Sequence, residues 1–83
     1  MNFEVIHVSR GDIRLKNKDK YVRVLGEALI ASTPTDPSYV IYLNSLNNWE
    51  VPAEVAITDI EKQDIISAIR EHFENLGSIV DFE

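Results

Sequence analysis

The most regular pattern of apolar and polar residues in this chain lies at residues 58–77, TDIEKQDIISAIREHFENLG. Apolar side chains recur there at intervals of three and four residues, which places them within one arc of roughly 100° on a helix surface. Thr58 and Glu61 have the spacing of a capping box, and Gly77 can adopt the left-handed conformation that ends a helix. We therefore predict a helix over residues 58–76 with a buried apolar stripe. The stripe consists of Ile65, Ile66, Ile69, Phe73 and Leu76.

Upstream of the helix, apolar and polar positions alternate over short runs, which is the pattern of β-strands. The first run is apolar on both faces, as is typical of a central strand. Gly26 indicates a bulge or a bend in the third strand. The predicted strands cover residues 3–9, 12–16, 21–25 and 39–43, and residues 28–32 either continue the third strand or form a short strand of their own.

Two loops and a terminal strand complete the predicted fold. Residues 33–37 contain two prolines, which cannot donate to a strand ladder, and therefore form a surface loop. Residues 44–57 follow no clear period and contain the only tryptophan, Trp49, which is either a core residue or an aromatic anchor at an interface. The predicted fold class is α+β: an antiparallel sheet of five to six strands, with one helix packed on one face and a final strand 78–82, in a single domain over residues 1–83.

The net charge of −6 at pH 7 is unevenly distributed along the 83 residues. Residues 1–26 hold six basic and three acidic side chains, a net charge of +3, whereas residues 27–83 hold two basic and eleven acidic side chains, a net charge of −9. Such an acidic surface repels nucleic acid and attracts basic partners, although the same charge also keeps a protein soluble. The sequence has no cysteine, no signal-peptide pattern and no apolar run of about 20 residues, so we expect a cytoplasmic protein without a membrane partner.

Motifs for catalysis and metal binding are missing from the sequence. It contains no glycine-rich phosphate loop, no HExxH pattern, no nucleophile elbow and no EF-hand spacing. His7 lies on a predicted strand and His72 at the margin of the helix stripe, where structural roles are commoner than catalysis or metal ligation. Glu71 and Glu74 form a pair on the predicted helix, but no apolar pocket that would raise a carboxyl pKa is evident. We therefore expect no enzymatic activity, no catalytic residue, no cofactor, no metal site and no small-molecule substrate.

Six basic residues cluster in the predicted hairpin that begins at Arg10 and ends at Arg23, with Tyr21 among them. Clustered basic side chains with an interleaved aromatic residue are typical of a nucleic-acid-binding patch. Outward-facing basic side chains also protect sheet edges from aggregation. Because the whole chain is acidic, we expect no nucleic-acid partner. A small nucleic-acid-binding or regulatory module that uses this hairpin is the alternative function.

Several segments of the chain resemble the small immunity proteins of bacterial polymorphic-toxin and contact-dependent growth-inhibition systems. They are the Arg10-Gly11 turn, the segment VIYLNSLNNWEVP at residues 40–52, and the ending Asp81-Phe82-Glu83 after a single helix. The resemblance spans nearly the whole chain, and its motif, Y-L-x-S-L-x-x-W-E-x-P, consists of structural residues. It implies a non-enzymatic protein that binds a cognate toxin and blocks its active site or its access to substrate. Such toxins are often nucleases or nucleotide-acting enzymes, which tend to be basic.

The resemblance carries over no contact residues, so the candidates for toxin contact follow from charge and position in the predicted fold. A basic toxin would be attracted to the acidic part of the chain. We expect contacts from the tryptophan loop, the exposed helix face and the proline loop. The candidate residues are Trp49, Glu50 and Glu54 in the first, Asp64, Glu71 and Glu74 in the second, and Asp36 in the third.

Overall fold

Residues 3–83, which the computed structural model describes, form one five-stranded sheet and one α-helix. The strands are arranged in the order β1-β2-β3-β4-β5, antiparallel from β1 to β4 and parallel between β4 and β5. In chain order, the elements are β1 (Glu4–Val8), β2 (Asp12–Asn17), β3 (Lys20–Ala28), β4 (Tyr39–Ile41), a 3-10 helix (Leu43–Ser45), α1 (Asp59–Asn75) and β5 (Val80–Phe82).

The predicted α+β class, with one helix and a final strand after it, is confirmed. The sheet is mixed and not purely antiparallel, because the connection that contains α1 is long enough to bring β5 beside β4 in the same direction. Residues 28–32 do not form a strand of their own, since β3 runs through Gly26 and ends at Ala28. The chain then leaves the sheet for the predicted proline loop.

β1 lies at an edge of the sheet, so the prediction of a central strand is wrong. The apolar residues that suggested two buried faces include Ile6 and Val8, which are both exposed. The register of β1 against β2 shifts between Val5 and His7, at a β-bulge that contains Ile6. A bulge bends and twists an edge strand, which hinders the pairing of another chain.

One face of the sheet and one side of α1 share the hydrophobic core. Alternate residues of β2 and β3 point into it, as the sequence pattern predicts. The helix stripe is buried or partly buried except at Leu76, which is 65% exposed because α1 ends at Asn75 and Leu76 caps it. The buried side chains contributed by β2, β3 and α1 include Ile13, Leu15, Val22, Val24, Ile65, Ile69 and Phe73.

Both ends of α1 have the contacts that the sequence predicts. Thr58 Oγ1 accepts a hydrogen bond from the Glu61 amide at 3.2 Å, and Glu61 Oε1 accepts one from the Thr58 amide at 2.9 Å. At the other end, Gly77 has a φ of 71° and its amide donates to the Glu74 carbonyl at 2.9 Å. These bonds satisfy backbone groups that a helix end would otherwise leave without partners.

Gly26 marks a close approach between two strands, and neither pairing of β3 shows the register shift of a bulge, which was one of the two predicted alternatives. It pairs in register with Ile41 of β4. A β-carbon at Gly26 would lie less than 3.0 Å from both the Val40 carbonyl oxygen and the Tyr39 ring. Tyr39 in turn donates from its hydroxyl to the Ser9 carbonyl oxygen at 2.8 Å. A side chain at position 26 would therefore disturb the contact that ties β4 to the turn between β1 and β2.

Candidate functional site

Trp49 lies in the core and anchors the segment that precedes α1. Its side chain is only 3% exposed. Its ring stacks on Phe3 with 5.7 Å between centroids, and Lys20 Nζ lies 5.1 Å from its centroid. No acceptor within residues 3–83 reaches the indole nitrogen. The structure thus places Trp49 where it fixes the surrounding loop, with little of its own surface open to a partner.

The chain around Trp49 forms a narrow loop whose two arms are joined by backbone hydrogen bonds. The amides of Trp49 and Ile57 donate to the carbonyls of Val55 and Asn47, both at 2.9 Å. This loop is also hydrogen-bonded to β3, because the Tyr21 amide donates to the Val51 carbonyl at 2.8 Å. Residues 50–55, which we call the tip loop, are therefore held against the sheet by bonds on two sides.

The tip loop presents exposed apolar side chains next to two carboxylates. Val51 and Val55 are 48% and 44% exposed, and Glu50 and Glu54 are also exposed. Glu50 Oε2 lies 3.6 Å from Arg14 Nη2, an exposed ion pair that leaves the carboxylate accessible. Glu54 has a φ of 67°, in the left-handed region, and no ion pair within residues 3–83. Exposed apolar side chains with carboxylates beside them are a composition that suits protein recognition.

An ion pair connects the start of β3 to the start of α1, close to the tip loop. Lys20 Nζ lies 3.3 Å from Glu61 Oε2 and also lies over the Trp49 ring. The hydrogen bond from the Thr58 amide, together with the Lys20 ammonium, holds the pKa of the Glu61 carboxyl below its usual value. The first turn of α1 and the tryptophan loop are therefore fixed relative to each other through one lysine.

The acidic residues predicted on the helix face are arranged along α1. Glu71 and Glu74 are exposed, whereas Asp64 is half-buried. Arg70 directly precedes Glu71 in the sequence, and its guanidinium carbon is 5.1 Å from the centroid of the Phe82 ring in β5. The exposed carboxylates of α1 thus continue towards the edge of the sheet at β5.

Asp36 is not brought together with the tip loop. Its carboxylate accepts hydrogen bonds from the amides of Ser32 and Thr33, both at 3.1 Å, and so shapes its own loop. That loop begins after Ala28, whereas the tip loop pairs with Tyr21. Tyr21 and Ala28 are seven positions apart along β3, which corresponds to about 23 Å at roughly 3.3 Å per residue.

The basic hairpin is partly neutralised within the fold. Arg14, Lys20 and Arg23 each form an ion pair with an acidic side chain. The closest joins Arg23 Nε to Asp12 Oδ2 at 2.6 Å. Hydrogen bonds from the Ser9 hydroxyl and the Arg23 guanidinium hold the pKa of the Asp12 carboxyl below its usual value. Half of the six basic residues therefore have an internal partner, which weakens the case for a phosphate-binding patch.

Two residues of the tip loop were not predicted. Val51 and Val55 are ordinary apolar residues, and in a segment without a period nothing in the sequence separates exposed from buried positions.

Within residues 3–83, no group of three His, Cys, Asp or Glu side chains could hold a metal ion. The same part of the chain has no helix that is long and apolar enough to cross a membrane.

Comparisons with known proteins agree with the resemblance found in the sequence. The sequence model of the family described as immunity protein 74 matches residues 5–83. No curated protein and no solved structure matches the chain. The family match covers both the sheet and α1, including the tip loop. The chain therefore belongs to the immunity protein 74 family.

Proposed function

We propose that this protein binds the catalytic domain of a cognate bacterial toxin in the cytoplasm and blocks its active site or its access to substrate. The observation that carries the proposal is the family match over residues 5–83. Membership of an immunity protein family implies a non-catalytic inhibitor and a cognate toxin as its partner. The finer claims, which concern the kind of toxin and the surface that binds it, follow from charge and exposure.

The surface proposed to bind the toxin combines the tip loop with the exposed acidic face of α1. The tip loop offers Val51 and Val55 for burial, and backbone hydrogen bonds at Glu50, Val51 and Val55 hold both of its ends. A preorganised loop loses less conformational entropy on binding than a mobile one. Glu50 and Glu54 in the loop, and Glu71 and Glu74 on the helix, supply the negative charge. Trp49 contributes by anchoring the loop.

The proposed toxin is basic and acts on nucleic acid or nucleotides. Residues 27–83 carry a net charge of −9, and charge of this sign accelerates association with a basic partner. An enzyme that binds phosphate backbones needs a basic surface. An acidic inhibitor is complementary in charge to such a surface. We expect the toxin to belong to a polymorphic-toxin or contact-dependent growth-inhibition system, and we expect no nucleic-acid binding by the inhibitor itself.

The proposal is tested by co-expression with the C-terminal domain encoded by a toxin gene directly upstream. Cells that produce the toxin domain alone should stop growing, and cells that also produce this protein should grow normally. The two purified proteins should form a complex, which isothermal titration calorimetry should detect. Growth arrest that persists at high levels of the folded protein would reject the proposed function.

The binding surface is tested separately with paired charge variants. The double substitution Glu50→Gln and Glu54→Gln should slow association about tenfold at low salt, because electrostatic steering acts mainly on the association rate. Glu4→Gln, at an exposed position on β1, serves as the control and should bind like the wild type. If the double variant and the control associate equally fast, the tip loop is not the steering surface, whereas toxin neutralisation itself would still stand.

A further inference from the structure

The outer edge of the sheet at β5 presents backbone groups that face away from β4. β5 is the last strand in the sheet order of residues 3–83. The Ser38 amide donates to the Ile79 carbonyl, and the Glu83 amide donates to the Ile41 carbonyl, so the groups of residues 79 and 83 face β4. Backbone groups alternate in direction along a strand. The backbone N–H and C=O groups of Val80 and Phe82 therefore point away from β4, at the outer edge of the sheet.

A pocket opens directly beside this edge. It has a volume of about 230 Å³ and lies between the C-terminal half of α1 and the start of β5. Arg70 and Glu74 of the helix line one side, and Ser78, Ile79 and Val80 line the other. The helix side chains are charged at their tips, whereas Ile79 and Val80 make the strand side apolar. The pocket is large enough for one apolar side chain of a segment that runs along β5.

The two edges of the sheet differ in how they are protected. The bulge at Ile6 interrupts the register of β1. β5 has a continuous register with β4 over its three residues. Its outward-facing side chain, Asp81, is exposed and negatively charged. A charge at this position disfavours a second copy of β5, because identical carboxylates would lie next to each other, and it favours a partner with a basic side chain.

We propose that an extended segment of the cognate toxin pairs with the β5 edge, with an apolar side chain in the pocket and a basic side chain opposite Asp81. Side chains of an extended segment alternate between the two faces of a sheet, so apolar and basic residues should alternate in it. Glu74 belongs to both the pocket and the acidic helix face, which makes this edge continuous with the surface proposed above. The inference rests on the proposed function, and it specifies how the partner is bound.

Amide hydrogen exchange of the full protein, alone and with the upstream-encoded toxin domain, tests the pairing directly. The amides of Val80 and Phe82 should exchange at least about tenfold more slowly in the complex, because pairing protects them from solvent. The amide of Glu83 is already bonded to Ile41 and should change less. Unchanged exchange at Val80 and Phe82 in a complex that does form would overturn the inference and leave the proposed function intact.

A substitution that fills the pocket provides a second, independent measurement. Ser78→Phe should weaken toxin binding about tenfold or more, since the added ring occupies the space of the toxin side chain. Ser32→Phe, on the exposed loop after β3, is the matched control and should not weaken it. Circular dichroism should show that Ser78→Phe is folded. If the folded variant then binds the toxin with the same affinity as the wild type, the pocket does not hold a toxin side chain. Protection of Val80 in a dimer of this chain without toxin would identify a second copy as the occupant and reject the toxin segment.

Discussion

The substitution Gly26→Ala tests how the sheet is assembled around β3 and β4. The added methyl group would meet the Val40 carbonyl oxygen and the Tyr39 ring at less than 3.0 Å. The carbonyl belongs to the backbone of the neighbouring strand, and the ring is held by the Tyr39–Ser9 hydrogen bond, so neither can move freely. Overpacking a closed site costs about 1–3 kcal/mol, and a backbone obstacle places this variant near 3 kcal/mol.

Gly11→Ala is the matched control for this substitution. A β-carbon at Gly11 has nothing within 4 Å. Replacing a glycine by alanine at such an unstrained site stabilises a protein by about 0.4–1 kcal/mol, through the lower entropy of the unfolded chain. The two variants remove the same residue type and add the same methyl group, yet we expect opposite signs. The difference between them therefore isolates the contact with β4.

Denaturant unfolding followed by Trp49 fluorescence measures both variants. The chain contains a single tryptophan, and it is buried, so its emission reports the folded core without interference. A loss of about 3 kcal/mol corresponds to a fall in the midpoint of thermal unfolding of roughly 12–24 °C for a domain of this size. If Gly26→Ala lost less than about 0.5 kcal/mol, or matched Gly11→Ala, the close approach of β3 and β4 would be incorrect.

Two further predictions concern charged groups inside the fold. Glu61→Ala should lower the free energy of unfolding, measured in urea, by about 1 kcal/mol, because it removes the capping box. Glu61→Gln keeps an acceptor for the capping box and loses only the charge that pairs the buried Glu61 with the partly exposed Lys20, so it should lower the free energy of unfolding by less than Glu61→Ala does. Equal losses would show that the ion pair outweighs the cap. The depressed pKa of Asp12 stabilises the fold above the unfolded value of about 3.9, and this contribution is lost as the pH falls through the folded pKa. Unfolding free energy measured between pH 7 and pH 2 should therefore fall less steeply below pH 4 in Asp12→Asn than in the wild type, and identical slopes would contradict the assignment.

The elements that the sequence predicts well are those whose signals are local. The capping box at Thr58 and the left-handed Gly77 each depend on a few neighbouring residues, and both are present. Alternation in β2 and β3 identifies their buried faces because one side of each strand packs on the core. Leu76 departs from the helix stripe because it lies one residue beyond the helix end, and helix boundaries are less well defined than helix interiors.

The features that the sequence does not predict depend on contacts between distant residues. Whether β1 lies in the centre or at an edge is determined by the order of the strands, and its apolar residues fit either position. Gly26 is required by Tyr39 and Val40, which are more than ten residues away in the chain. The interpretation of Trp49 is decided by its contacts with Phe3 and Lys20, which lie far upstream of it in the sequence. None of these partners is marked by spacing or composition.

Ion pairs inside the fold reduce the acidic charge that a binding partner meets, compared with the charge counted from the sequence. Arg14 and Lys20 of the basic hairpin face Glu50 and Glu61, so part of the acidic charge is offset inside the fold. Glu54 has no such partner within residues 3–83, and it lies at the exposed end of the tip loop. Carboxylates with a basic neighbour contribute less to the field that a partner meets at a distance than carboxylates without one. The acidic surface available to a toxin is therefore smaller than the sequence total implies, and within the tip loop it is centred on Glu54 and not on Glu50.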